Sequence, residues 1–268
     1  MTINTTLHTL VSRHALEVLR TQGWPEHTDV SLPAPARWPG WVAVCVRLEA
    51  DDLAALLTRL CGQTGMDTPQ RQVLETAAGK LAGSPAVMVL LPEHDTAPMV
   101  PGDDTGVRFP YASEWLTEPE ITAVLACLRQ AIRRACIQIA DDARKIQAAV
   151  TPSPTHGRLF TRCIGHFQLV ADESDDDNWL DESAPEEVKR VLDAILLDGA
   201  RFGAVRLVVS CNTMRAILAY GLVTDVLRYP GDPARRWLDH DLLHEVIRDA
   251  RTEMRSVLNA HRTFLNQR

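Results

Sequence analysis

The sequence predicts an α+β protein built as a tandem internal repeat, with two strand–helix–strand–long-helix units packed as one pseudo-two-fold body, plus an N-terminal helix. Short runs rich in β-branched residues alternate with longer runs whose apolar residues recur at helical spacing. Two blocks of equal length, VLETAAGKLAGSPAV at 73–87 and VLDAILLDGARFGAV at 191–205, place apolar, acidic and alanine residues at matching positions. Trp115 and Trp237 likewise precede two long helical runs, so each half is expected to hide its apolar face against the other.

Residues 1–40 are predicted to hold the N-terminal helix and a lead-in rich in Pro and Trp, and the first repeat is expected at 41–150. Its long helix begins at a capping box formed by Thr117 and Glu120 and continues for roughly 30 residues without a breaker. The elements predicted before that helix are a strand at 41–49, a short helix at 50–62, a helix from Thr68 to about Gly83, a strand at 86–92 and an irregular loop at 93–105.

A Pro-rich linker at 151–157 is expected to separate the first repeat from the second, which occupies 158–268. A helix capped by Asn212 or Thr213 and reaching about Tyr229 is predicted before the last long helix. The other predicted elements are a strand-like run at 158–170, an acidic loop at 172–182, a helix at 186–198, a strand at 204–210 and the final helix from Asp232 and Pro233 onwards.

Composition sets bounds on the class of protein. The formal net charge of −7 argues against broad nucleic-acid binding, which depends on an excess of Lys and Arg over the phosphates. No apolar run approaches the roughly 18–20 residues of a membrane span, and the polar start has no apolar signal core, so we expect a cytoplasmic protein with no membrane partner. The six cysteines form no C-x-x-C pair and are predicted to be small buried hydrophobes.

The sharpest motif is HDLLH, which carries His240 and His244 on one face of the final helix. It has the form of the zinc-binding H-E-x-x-H motif with Asp in place of Glu, and Asp reaches a metal-bound water less well. No third ligand is evident, and both histidines lie at the flank of the apolar stripe. The pair is therefore interpreted first as solvated, with a zinc site as the alternative.

The run VVSCNTMRA at 208–216 resembles the Cys-Asn-Thr signature of the aspartate and glutamate racemases over four or five residues. In those enzymes a cysteine lies at a strand end, and a helix N-terminus lowers its pKa. The resemblance implies the same arrangement here. The second cysteine and the early Asp-Ser-Gly of that family do not occur in this sequence. The Asn212-Thr213 pair is therefore interpreted as a helix cap.

The acidic loop at 172–182 is predicted to be solvated, with docking onto a basic partner as the alternative. An EF-hand register from Asp172 fails because Asp177 stands where the sharp turn needs Gly and Ser183 where the bidentate Glu belongs. The seven carboxylates of the loop are those of Asp172, Glu173, Asp175, Asp176, Asp177, Asp181 and Glu182.

A stripe of cationic side chains runs along the final helix, and at 3.6 residues per turn its members fall within about 80° of one another. Such stripes are usually solvated helix faces, and a docking surface is the alternative. The stripe consists of His240, His244, Arg248, Arg251 and Arg255, and the long helix of the first repeat carries a matching pair, Arg129 and Arg133.

These patterns predict a non-enzymatic, cytoplasmic protein-interaction module that works as a homodimer or as a subunit of a larger assembly, with Arg129, Arg133, Arg248, Arg251 and Arg255 as its binding surface. No nucleophile with a base and no phosphate-cradling glycine loop is evident, so an enzyme is the less favoured interpretation, and no cofactor is expected. A metal-dependent hydrolase using His240 and His244, with zinc, is the alternative. A nucleic-acid-associated subunit that uses the arginine stripes is the weaker alternative.

Overall fold

The computed structural model describes residues 5–32, 42–62, 66–92, 105–153, 157–174, 180 and 184–266. Within these ranges the protein is α+β, as predicted, with six α-helices and two four-stranded antiparallel sheets. The chain divides into two units, and Leu10–Arg144 form most of the first and Lys145–Arg268 most of the second. Each sheet belongs to one unit and its strands follow one another in chain order, which keeps the strand pairings local.

The first unit builds its sheet in the order β1-β2-β3-β4. The pairs Val46–Leu90 and Leu48–Met88 of β2 and β3 point to the buried face, while Arg47 and Glu49 alternate to the exposed one. The strands are β1 (Asp29–Ser31), β2 (Ala43–Glu49), β3 (Val87–Pro92) and β4 (Thr105–Arg108). The helices are α1 (Thr5–Gln22), α2 (Ala50–Cys61), α3 (Thr68–Leu81) and α4 (Glu118–Val150).

The second unit builds its sheet in the order β5-β6-β7-β8, and the last helix, α6, lies across β7 and β8. Its core gathers Val205 and Leu207 of β7, Val226 of β8, and Val246 and Ala250 of α6. The strands are β5 (Arg158–Ile164), β6 (Phe167–Ser174), β7 (Arg201–Cys211) and β8 (Ala216–Arg228), and the helices are α5 (Pro185–Leu196) and α6 (His240–Asn266).

The internal repeat is confirmed by the order of elements. Both units contain two strands, one or two helices, two more strands, a short 3₁₀ turn and a long helix. The 3₁₀ turns end at Trp115 and Trp237, whose backbone N–H groups donate to the carbonyls of Ala112 (3.1 Å) and Ala234 (3.3 Å). The observed unit has more strands than the predicted strand–helix–strand–long-helix unit, because β1 and β4 are short and β5 and β6 form a hairpin turning at Gly165.

The predicted helix between Asn212 and Tyr229 is wrong. Residues 212–215 form the turn of a hairpin, in which Arg215 takes a left-handed φ of 52°, and β8 follows and pairs with β7 along its length. From Ala219 to Val223 half-buried and exposed residues alternate, which is the period of a strand. Asn212 and Thr213 are therefore turn residues and cap no helix.

The capping box at the start of α4 is confirmed. Oε2 of Glu120 accepts hydrogen bonds from the backbone N–H and the hydroxyl of Thr117, both at 2.8 Å, and Lys80 of α3 adds an ion pair at 2.6 Å. These contacts, led by the Lys80 hydrogen bond, lower the pKa of Glu120 to about 2. In the described ranges, no helix has both the length and the apolar content that crossing a membrane requires.

Candidate functional site

Helix α6 carries most of the residues that the sequence predicts to be functional. It begins at His240, directly after Asp239, whose Oδ1 accepts hydrogen bonds from the backbone N–H groups of Asp241 (2.8 Å) and Leu242 (3.2 Å). Asp239 therefore acts as the N-cap and satisfies donors that the first turn leaves unpaired. The cap fixes where the helix starts, and with it which side chains face the sheet.

The first half of α6 is packed against the sheet. Apolar residues recur at every fourth position and contact the apolar side chains of β7 and β8. They are Leu242, Val246, Ala250 and Met254. Gly221 of β8 makes this close approach feasible, because a Cβ atom at that position would lie 2.5 Å from Cγ2 of Val246. The helix backbone therefore lies close to the strand at this point.

The second half of α6, from Arg255 to Asn266, carries apolar side chains that are less buried than those of the first half. Val257 is only half-buried, Leu258 is 50% exposed and Phe264 is 55% exposed. At 3.6 residues per turn, Val257 and Phe264 point in nearly the same direction as Val246. We call Val257, Leu258 and Phe264 the tail face.

Helix α4 of the first unit shows what the same region looks like when it is covered. With the spacing that relates Trp115 to Trp237, the tail residues Val257 and Leu258 correspond to Ala135 and Cys136, whose exposed fraction is 0%. Ile139, one turn further along α4, is also fully buried. This part of α4 is an ordinary core helix, whereas its counterpart on α6 remains exposed.

Helix α1 is one of the elements that lie against this part of α4. Nε2 of His14 is 3.0 Å from Oδ2 of Asp142, and only 12% and 17% of the two side chains are exposed. In the second unit, β5 follows the end of α4 after a short connection that includes 151–153 and 157, and within these described residues no helix precedes it. The second repeat therefore has no helix of its own in the chain position of α1.

The structure places Arg248, Arg251 and Arg255 as exposed side chains along one flank of α6. Arg248 has carboxylates nearby, at 3.4 Å in Glu245 and 3.8 Å in Asp249. Among the described residues, no carboxylate lies within ion-pair distance of Arg251 or Arg255. These two guanidinium groups stand beside the tail face, next to Leu258.

Arg129 and Arg133 are exposed on α4 of the first unit. They occupy the positions that correspond to Arg251 and Arg255; Ala135 and Cys136 near them are buried, and Ile137, one turn from Arg133, is 42% exposed. Arg133 therefore stands beside one exposed apolar side chain, whereas Arg251 and Arg255 stand beside the tail face.

His240 and His244 are both exposed in the first two turns of α6. His244 shares an open cleft with Asp239, Asp241 and Glu245. Among the residues whose placement is described, no three His, Cys, Asp or Glu side chains are grouped so that they could hold a metal ion. The zinc site therefore stays a prediction that rests on the two histidines alone.

Sequence reasoning missed the role of Glu173, which was expected in a solvated acidic loop. Asp172 and Glu173 belong instead to β6, and 4% of the Glu173 side chain is exposed. Arg201 donates to both of its oxygens, at 2.9 and 3.1 Å, and Arg228 and the backbone N–H of Ser153 (2.7 Å) complete the set. Of the rest of the predicted loop, residues 175–179, 181 and 182 lie outside the described residues.

Burial by itself raises the pKa of Glu173, but the hydrogen bonds from Ser153, Arg228 and Arg201 outweigh it and hold that pKa below its usual range. Arg201 also donates to the backbone carbonyls of Ala148 (3.1 Å) and Thr151 (2.8 Å). The ionised Glu173 thus ties β6 and β7 to the end of α4. Its role is structural, and no sequence motif signals it.

The cysteines only partly follow the expectation that they are buried. Cys61, Cys127, Cys136 and Cys211 are buried, but Cys163 of β5 is exposed and Cys45 is intermediate. The prediction is wrong for Cys163 because it lies in the last part of β5, where successive residues from Thr161 to Ile164 are all exposed. Burial raises the pKa of Cys127 to about 11.

Two matches to protein-family models cover almost the whole chain. Residues 4–146 match the N-terminal domain of YubG, and residues 157–265 match the C-terminal domain of YubG. The chain belongs to the YubG family. Each YubG domain contains one copy of the repeat, and α6, with its tail face, lies in the C-terminal domain. No solved structure gives a significant match to the chain.

Proposed function

We propose that this protein is a non-enzymatic interaction module of the cytoplasm, and that the second half of α6 binds an amphipathic helix of a protein partner. The observation that carries the proposal is the contrast between two equivalent helices. Cys136 of α4 is fully buried, whereas Leu258, which corresponds to it on α6, is half exposed. A partner helix on α6 would remove this difference.

The apolar part of the surface is large enough to anchor a partner. Leu258 and Phe264 are each about half exposed, lie less than two turns apart along the helix and are separated by about 120° around it, with Val257 between them. Covering the exposed half of such a side chain contributes about 1–2 kcal/mol. An amphipathic helix with its own apolar stripe is the simplest element that fits alongside this face, since helices pack through such stripes.

The charges beside the tail face specify the partner further. Arg251 and Arg255 flank Leu258 on one side, and on the described part of the chain neither has a carboxylate within ion-pair distance. The other flank carries uncharged polar residues such as Ser256 and Thr263. A partner helix with Asp or Glu along one edge would therefore pair with the arginines and be held in one orientation.

A second copy of the chain suits this surface less well. When two identical helices pack antiparallel, the same flanks face each other, so Arg251 and Arg255 would meet the same arginines of the partner copy. Repulsion between these guanidinium groups would oppose association of the two copies, particularly at low salt. A larger assembly with a different protein is accordingly favoured over a homodimer formed through α6.

Site-specific photo-cross-linking in the native host tests the proposal. A photoreactive phenylalanine analogue placed at Phe264, or at Leu258 in a second variant, should cross-link to one partner protein. The matched control carries the same analogue at Leu197, which is 78% exposed at the end of α5, and should give no such product. The cross-linked partner peptide should have apolar residues at helical spacing and acidic residues along one edge.

Charge reversal in the double variant Arg251→Glu/Arg255→Glu should abolish the cross-link from position 264. The same reversal at Arg129 and Arg133 should leave that cross-link intact, because those arginines lie on α4 and not beside the tail face. Cross-linking of the tail only to a second copy of the chain, or an identical yield from the charge-reversed variant, would overturn the proposal.

A further inference from the structure

The edge strands of the two sheets differ in how well they are protected against pairing with another chain. Natural proteins blunt exposed edges with short strands, charged side chains, prolines or bulges. β1 has 3 residues and includes Asp29, and β4 has 4 residues and ends in Arg108. β5 is longer but carries Arg158 and Arg162. Each of these edges is protected by its length or by its charges.

β8 is the exception among the edge strands of the described ranges. It is 13 residues long, and from Ala216 to Thr224 it contains no charged residue and no proline. Two register shifts against β7, near Leu218 and Asp225, leave a regular segment from Ala219 to Val223 between them. This segment presents backbone N–H and C=O groups along its outer side, where nothing in the described part of the chain pairs with them.

A groove of about 500 Å³ runs along this edge, between β8 and the covered half of α6. The floor and the strand side of the groove are formed by Ile217, Leu218, Ala219 and Tyr220. Its other wall is formed by Asp249, Thr252 and Glu253 of α6. The groove lies on the flank of α6 opposite to Arg251 and Arg255, counting 3.6 residues per turn. It is therefore a different surface from the tail face.

We infer that the edge of β8 binds an extended peptide segment of a partner, which adds a strand to the sheet and directs a Lys or Arg side chain at Asp249 and Glu253. The backbone edge of β8 supplies the pairing, which is independent of sequence. The two carboxylates supply the preference for a basic residue. The inference does not depend on the function proposed for the tail face.

The alternation of side chains along a strand predicts the peptide's pattern. Ala219 and Gly221 face α6, so the added strand should place its basic residue on that side, beside the carboxylates. Tyr220 and Ile217 point to the opposite face of the sheet and are 78% and 67% exposed. The neighbours of the basic residue should therefore be apolar or aromatic, where they can pack against these two side chains.

A second copy of the chain is a poorer occupant of this edge. If two β8 strands paired about a two-fold axis, both copies of α6 would lie on the same face of the joined sheet. Their acidic flanks, each with Asp249 and Glu253, would then face one another across the axis. The same carboxylates that attract a basic peptide oppose this dimer.

A phage-displayed library of random peptides, selected on the immobilised full-length protein, tests the inference. We expect the enriched peptides to alternate apolar residues with a Lys or Arg. Synthetic versions should bind with affinities that fall at least tenfold in the charge-reversed variant Asp249→Lys/Glu253→Lys. Both residues are exposed on α6, so that variant should fold normally. The control Arg251→Ala/Arg255→Ala, on the other flank, should bind the peptides as the unchanged protein does.

Hydrogen–deuterium exchange provides a second readout that needs no substitution. Peptide binding should slow exchange of backbone amides in Ala219–Val223 and leave those of β5 unaffected. Enrichment of no peptide, enrichment without a basic residue, or equal binding to Asp249→Lys/Glu253→Lys would overturn the inference. A dimer that sedimentation detects and that the peptides dissociate would also overturn the inference. The occupant of the β8 edge would then be a second copy of the chain.

Discussion

Gly221 of β8 and Val246 of α6 lie so close that a Cβ atom on the glycine would be 2.5 Å from Cγ2 of the valine. Leu242 also comes within 3.5 Å of the same position. The substitution Gly221→Ala should therefore push α6 away from the sheet and lower the free energy of unfolding by about 1–3 kcal/mol. Urea denaturation followed by circular dichroism measures this loss.

The matched control for that substitution is Gly79→Ala. Gly79 lies inside α3, and a Cβ atom there would meet nothing within 4 Å. Because alanine favours a helix over glycine, this variant should be more stable than the unchanged protein by about 0.5–1 kcal/mol. Equal effects of the two substitutions would contradict the close packing described for α6.

Loss of the Glu173 carboxylate should lower the free energy of unfolding more than loss of most other side chains of the second unit. Replacing it with Gln keeps the shape but leaves Arg201 and Arg228 without their negative partner, and 10% of the Arg228 side chain is exposed. Loss of one partner of a buried ion pair typically costs about 3–5 kcal/mol. Thermal unfolding of Glu173→Gln should show that loss. Glu49→Gln, which affects an exposed pair with Arg47, should change stability by less than about 1 kcal/mol.

The lowered pKa of Glu120, about 2, predicts a dependence of stability on pH. Because this pKa lies below that of an unfolded Glu, near 4.3, the carboxylate stabilises the fold fully above pH 4.3 or so, and loses this effect as the pH falls towards 2. The contribution is at most about 3 kcal/mol, and solvent around the partly exposed Lys80 reduces it. The unfolding free energies of the unchanged protein and Glu120→Gln should therefore differ at pH 7 and converge near pH 2. A difference independent of pH would argue against the ion pair.

Thiol reactivity should separate the cysteines by exposure. At pH 8 iodoacetamide should modify Cys163 first, because it is exposed, whereas Cys127 is buried and has a pKa of about 11. Mass spectrometry of tryptic peptides after short exposures gives the order. Modification of Cys127 in the native protein as fast as in urea would show that α4 opens readily.

Metal analysis distinguishes the interaction module from the hydrolase alternative. His240 and His244 are exposed and supply only two ligands, while zinc sites in proteins normally use three or four. Protein purified without chelators should therefore contain zinc at well below one equivalent. Stoichiometric zinc that disappears in His244→Ala would instead favour the hydrolase.

The sequence was informative where one pattern extended over many residues. Apolar spacing and the Thr117–Glu120 capping box located α4 almost to the residue, and the two tryptophans marked the repeat. β8 was misassigned because Asn212 and Thr213 favour both caps and turns, and the apolar residues after them suit a helix as well as a strand. β1 and β4 have 3 and 4 residues, too few to show a period.

The candidate site could be predicted only in part. Periodicity shows that Val257 and Phe264 share a direction with Val246, but it cannot show how deeply they are buried, because that depends on elements distant in sequence. Glu173 was hidden for a similar reason. Its partners, Arg201 and Arg228, come from two later strands, and only the folded sheet brings them together.

The unequal protection of the sheet edges limits how many copies of the chain strand pairing could join. A chain whose sheet is open at both edges can pair with copies of itself at each edge and so polymerise. In this protein the opposite edge of the β8 sheet is formed by β5, which carries arginines, so the sheet of the second unit offers copies of the chain one open edge, at β8. Strand pairing through β8 would thus saturate at one partner per chain, forming a discrete complex and not a filament.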